Sequence, residues 1–189
     1  SAEDSNLKGD NVTVRSAAII HSTTGSIILR AGNDIILDTG SNLRAAGEVT
    51  LLGDYGNTDS GVGTMIEIRG SISAQRLKIK GNKNDDTFYL YAPSFTCPVE
   101  VHGIGGSNRF FLATDRLAAP ISMYGGSGSD TFNIKGRGLG STVVLDGKGG
   151  SDTYNVDISG SDQYTIDIKD TAKDDGRDKL TINGTTSGN

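Results

Sequence analysis

The chain predicts an all-β fold, a right-handed parallel β-helix (solenoid) with about 22 residues per coil. Three observations carry that prediction. A turn residue returns at a fixed step as Asp86, Asn108, Asp130 and Asp152, each followed two residues later by an aromatic: Phe88, Phe110, Phe132 and Tyr154. Apolar residues alternate with polar ones over runs of four to five, the strand period, and no 3.6-residue pattern competes. Finally, glycine is 27 of 189 residues, about twice the usual 7%, and acidic residues are 19 Asp against 4 Glu. Asp favours turns and Glu favours helices, so the chain is rich in turns and poor in helix.

The whole of 1–189 reads as a single β-helix module. Residues 1–10 are a polar lead-in, and 11–74 form less regular coils. There Val12 and Val14, Ile27 and Leu29, and Ile35 and Leu37 alternate with polar neighbours; Val49 and Leu51 follow Ile27 and Leu29 by 22 residues. Residues 53–64 lose the alternation and read as a loop bulging from one coil before Ile66 and Ile68 resume a strand. Coils of strict 22-residue step occupy 75–163. Their first strand supplies Leu77 and Ile79, Val99 and Val101, Ile121 and Met123, then Val143 and Leu145. The second strand supplies the aromatic and Leu90, Leu112, Ile134 or Val156. A third position holds Phe95, Leu117 and Leu139. Like residues then stack from coil to coil at roughly 4.8 Å. Residues 164–189 form an irregular last coil, in which Leu180–Gly184 restates Leu77–Gly81 and reads as the start of a next coil. Neither end reads as a cap, and the chain opens at Ser1, so a module within a longer array is expected.

Only 34% of residues are hydrophobic and none is Trp, which suits a thin core threaded along an array. A net charge of −5 disfavours nucleic acid and anionic membrane surfaces. No apolar run of about 18 residues is present for membrane insertion. The lone Cys97 excludes an internal disulfide framework and a Cys-rich zinc site.

Gly125-Gly126-Ser127-Gly128-Ser129-Asp130-Thr131-Phe132-Asn133 fits the nonapeptide G-G-x-G-x-D-x-U-x, and Gly147–Asn155 fits it in part. These stretches resemble RTX (haemolysin-type) calcium-binding repeats. Residues 25–38, Gly25 to Asp38, resemble filamentous-haemagglutinin-type β-helix repeats. Together they resemble giant bacterial cell-surface and secreted repeat proteins, which implies a secreted or cell-surface location. Here the nonapeptides come once per 22 residues rather than head to tail.

Two readings of the turn aspartates stand side by side. A carboxylate closing a glycine-rich turn supplies hard oxygen, so Asp130 and Asp152 on adjacent coils are candidate calcium ligands, calcium being the one cofactor expected. The same side chains can instead cap strand N–H groups as a turn ladder. The dense Asp170, Asp174, Asp175 and Asp178 lack the spacing of a calcium loop and read as a solvated acidic segment. Phe88, Phe110, Phe132 and Tyr154 form an internal core ladder. Tyr89, Tyr91 and Phe111 have the opposite parity and form an outward contact patch for a glycan or protein, or lie under a covering loop such as 53–64. His21 and His102 have no matched nucleophile, and Arg109 and Arg116 no paired-carboxylate set, so no enzyme is expected. The resulting expectation is an extracellular structural or adhesive module that forms a stiff rod or fibre by coil-on-coil stacking. Its partners are further repeats of the same chain or other copies, associating end to end, with glycans or cell-surface proteins as further candidates. The alternatives are a calcium-dependent RTX-like secreted module and a carbohydrate-binding or polysaccharide-degrading β-helix.

Overall fold

A computed structural model describes residues 10–56, 61–135, 140–158, 164–172 and 176–184. Among them there are twenty strands and no helix. Every strand pair is parallel, and the chain winds as a β-solenoid of about 7 turns roughly 22 residues apart.

Two long sheets face each other across the core. The first contains Val12–Val14, Ile35–Leu37, Met65–Ile68, Thr87–Leu90, Arg109–Leu112, Thr131–Lys135, Thr153–Ile158 and Lys179–Gly184 in that spatial order. The second contains Ile27–Arg30, Glu48–Leu52, Arg76–Lys80, Val99–Ile104, Ile121–Ser127, Thr142–Gly149 and Thr165–Lys169, also in chain order. A third, shorter face carries Ile19–Ser22, Asn42–Ala45 and Ser71–Ser73, with Ser94–Phe95 and Arg116–Leu117 pairing further along.

Register, not composition, builds the core. In the first sheet Phe88 pairs with Phe110, Phe110 with Phe132 and Phe132 with Tyr154, each in the inward position. Their rings stack at centroid separations of 5.0, 4.6 and 5.1 Å, tilted by only 19°, 7° and 5°. The predicted internal pile is therefore present. Leu77, Val99, Ile121 and Val143 form the matching column of the second sheet, all buried. Phe95 and Leu117 pair on the third face, while Leu139 lies outside the described residues.

The insertion in 53–64 is where the step changes. Ile35 pairs with Ile66, 31 residues on, whereas Ile66 pairs with Phe88 at the regular 22. The tail departs from the expectation. Leu180–Gly184 joins the first sheet, with Leu180 paired to Tyr154 and Ile182 to Val156, and does not open a new coil on the second sheet. Chain length explains this. Met123 to Ile134 spans one corner between the sheets in 11 residues, and Ile168 to Ile182 spans the same corner in 14. A full coil would need about 22 residues.

Candidate functional site

The corner where each coil leaves the second sheet and enters the first is the most elaborated part of the molecule. Strand direction changes there, so a backbone N–H cannot find a carbonyl on the neighbouring coil, and a side-chain oxygen takes that role. Thr64 N–H donates to Asp86 Oδ1 (2.8 Å), Asp86 N–H to Asn108 Oδ1 (3.0 Å) and Asn108 N–H to Asp130 Oδ1 (2.7 Å). The series continues with Asp130 N–H to Asp152 Oδ1 (2.8 Å) and Asp152 N–H to Asp178 Oδ1 (2.9 Å). Asp178 is exposed, as a solvated acidic segment implies, and also serves as the last cap of the ladder; its 26-residue step from Asp152 hid that role in the sequence. Asp174 and Asp175 lie outside the described residues.

A second, exposed ladder runs beside the first with the opposite polarity. Ser107 N–H donates back to Asp85 Oδ1 (2.6 Å), Ser129 N–H to Ser107 Oγ (3.3 Å) and Ser151 N–H to Ser129 Oγ (3.4 Å). A cleft of about 340 Å³ follows this corner between Asp85, Ser107, Arg109, Ser129 and Thr131.

Glycines make room for the buried ladder. A Cβ on Gly81, Gly103, Gly125 or Gly147 would lie 1.8, 2.4, 2.0 or 1.8 Å from the ladder side chain five residues later. Gly126 and Gly128 hold φ of 123° and 103°, conformations glycine adopts freely. The nonapeptide glycines are therefore required by packing and backbone geometry, with or without an ion. The 22-residue recurrence of Gly81, Gly103, Gly125 and Gly147 was a readable signal for this corner.

Ladder members differ in how their second side-chain atom is served. Asp86 Oδ2 accepts from Asn82 N–H (2.8 Å). Asn108 Nδ2 donates to the carbonyls of Gly105 (3.1 Å) and Gly125 (3.3 Å). Asp130 Oδ2 is buried and has no hydrogen-bond partner. The spot a Gly125 Cβ would fill lies 2.0 Å from that oxygen and 2.6 Å from the Gly147 carbonyl oxygen, so two acceptors border one gap. Burial pushes the Asp130 carboxyl up to about 7; the Asn108 N–H opposes this and the Asp152 carboxylate adds to it. Burial also pushes Asp86 up to about 7, against hydrogen bonds from Thr64 and Asn82 N–H.

The structure places Asp130 and Asp152 on adjacent coils, as the sequence implied. Each commits Oδ1 to a backbone N–H. A calcium ion, which takes six to eight oxygens, would have Asp130 Oδ2 and nearby carbonyl oxygens to draw on. Among the described residues no three His, Cys, Asp or Glu side chains gather as a metal-holding group.

Tyr89, Tyr91 and Phe111 come together on the outer face of the first sheet, half-buried. Tyr89 stacks on Phe111 at 4.9 Å and meets Tyr91 at 5.4 Å, while the Arg69 guanidinium lies 5.2 Å over the Tyr91 ring. Tyr89 and Phe111 cover each other's faces. Of the loop at 53–64, residues 57–60 lie outside the described residues. A second outer cluster, which the sequence reading missed, stacks His102 on Tyr124 at 4.8 Å with Lys148 Nζ 5.5 Å over the Tyr124 ring. Its signal was the shared step of 22 between His102 and Tyr124. His21 lies on the third face, His102 on the second sheet, Arg109 on the first, and Arg116 on the short Ser94–Phe95 and Arg116–Leu117 pair.

No family model, curated protein or solved structure matches the chain. No helix among the described residues is long and apolar enough to cross a membrane, which says nothing of strands.

Proposed function

We propose that the chain is a structural or adhesive repeat module of an extracellular protein, built to be extended by coil-on-coil stacking. The observation that supports this reading is the state of the inward columns at their last rung. Phe88, Phe110, Phe132 and Tyr154 are buried, and so are Leu112, Ile134 and Val156. Leu180 and Ile182 occupy the next places in the same two columns, yet are 51% and 56% exposed. Their strand also offers unpaired backbone groups, a template for another parallel strand. Seven turns at roughly 4.8 Å give only about 34 Å of height. Such a block acts as a stalk or fibre only with further coils, from the same chain or from another copy. In a head-to-tail contact between copies, Lys179–Gly184 pairs with Val12–Val14 of the next copy, where Val12 is half-buried and Val14 buried. Contacts of that type generate open filaments.

Light scattering and negative-stain micrographs over a concentration series test this reading. Particles lengthening in steps of one module are expected, and the double variant Leu180→Lys, Ile182→Lys stays at one module. A parent chain that remains one module long at every concentration defeats self-association.

The buried, unpartnered Asp130 Oδ2 favours a second reading, a calcium-dependent module in which metal binding is coupled to folding. Calcium titration followed by circular dichroism separates the two. The rod reading expects strand signal and thermal midpoint unchanged by calcium or chelator; the calcium reading expects the strand signal to appear only with the ion.

A further inference from the structure

The outer face of the second sheet has a position where three successive coils adopt a left-handed backbone: Ile104 (φ 84°), Gly126 (φ 123°) and Lys148 (φ 74°). Glycine meets that demand without steric cost, as Gly126 does. A β-branched residue there is strained. Ile104 does little for the core in return, since it is 51% exposed. Neither the backbone nor the interior calls for isoleucine at this place, and strain of this kind points to a role outside the fold.

Ile104 forms one wall of a notch of about 360 Å³, within the range of small-ligand sites. The stacked His102 and Tyr124 line it together with Gly126, Lys148 and the exposed Ser127. Gly126 must stay bare, because a Cβ there would lie 2.2 Å from the Ile104 carbonyl oxygen. Lys148, the cation that lines the notch, is paired. Lys148 Nζ is held by Asp146 Oδ2 (3.0 Å) and Thr171 Oγ1 (2.9 Å). Burial lowers the His102 pKa, with Lys80 on the neighbouring coil adding to the effect, so the imidazole is neutral at pH 7. Glu100, 4.0 Å from His102, also lies 3.9 Å from Arg76. The lining thus combines an exposed aliphatic side chain, Ile104, with tyrosine, histidine and serine and with the paired Lys148.

We propose that this notch binds one unit of an uncharged glycan, with a C–H face of the sugar against Ile104 and its hydroxyls on Tyr124, Ser127 and His102. An acidic sugar would find no uncompensated cation among the lining residues, and a purely apolar ligand would strand the three polar groups. The inference goes beyond the rod reading and does not depend on it, since association state tests one and glycan retention the other.

The test presents the full chain to an immobilised panel of neutral and acidic glycans, followed by amide NMR titration with a soluble form of any glycan retained. Neutral glycans should be retained, with shifts centred on Ile104, Tyr124 and Ser127. Ile104→Gly should weaken binding at least tenfold while leaving the thermal midpoint no lower, because it relieves the strained backbone. Ser127→Trp, which fills the notch from an exposed position, should abolish retention and decides the matter if Ile104→Gly melts early. Retention of acidic glycans alone, of none, or undiminished by Ser127→Trp overturns the proposal.

Discussion

Asp130→Asn tests the chemistry of the corner ladder, and the fold contains its own control in Asn108. At both positions Oδ1 accepts the N–H of the preceding coil, so the exchange keeps that cap. The difference lies in the second atom. Asn108 Nδ2 reaches the Gly125 carbonyl at 3.3 Å, whereas Asp130 Oδ2 has no partner near the equivalent Gly147 carbonyl. Burial raises the folded carboxyl from 3.8 to about 7, so between those values the folded state holds more protons than the unfolded state. Stability from Asp130 is therefore complete below about pH 4 and is lost as pH rises to about 7, a difference of about 4 kcal/mol at most. Asparagine carries no charge to bury and adds a donor worth about 1 kcal/mol. The variant should thus gain about 2–5 kcal/mol at pH 8 and differ by no more than about 1 kcal/mol at pH 4. Asp86 shares the same dependence but is present in both proteins, so the difference curve reports Asp130 together with its coupling to Asp152. Urea unfolding followed by circular dichroism from pH 4 to 8, with chelator present throughout, measures it. A variant less stable than the parent at pH 8, or a difference flat across that range, refutes the reasoning.

Phe110→Ala removes a ring held between Phe88 and Phe132 at 5.0 and 4.6 Å, and should cost about 3–5 kcal/mol in chemical denaturation. Gly81→Ala puts a Cβ 1.8 Å from Asp86 Oδ2. It should displace the caps on Thr64 and Asn82 and cost about 2 kcal/mol or more, visible as a fall in the thermal midpoint. Cys97 is buried and its thiol pushed up by burial, so a disulfide reagent should modify it in the native protein only as fast as the fold opens. Rapid native labelling would contradict that burial.

What was legible in the chain was whatever repeats at a constant step. Phe88, Phe110, Phe132 and Tyr154 announce a stack because a β-solenoid places every twenty-second side chain over its predecessor, so periodicity in sequence becomes adjacency in space. The corner ladder was readable as a row of Asp and Asn for the same reason. Its ends were not. Thr64 keeps the 22-residue step but is neither Asp nor Asn, and Asp178 falls four residues out of step by an insertion, while the backbone still delivers both to the same corner. The tail misled through local likeness: Leu180-Thr181-Ile182 copies Leu77-Lys78-Ile79, but alternation states only that a strand has one inward face, not which sheet receives it. Chain length between strands decides that, and 14 residues reach one corner rather than a full coil. The outer clusters were hardest to read, since nothing in a period of 22 distinguishes rings that pack against each other from rings that await a partner. Tyr89 with Phe111, and His102 with Tyr124, stack alike. What sets the second pair apart is the left-handed Ile104 beside it, a backbone fact with no signature in a single sequence. Periodicity therefore specifies the scaffold, and the departures from it are where a role beyond the scaffold has to be sought.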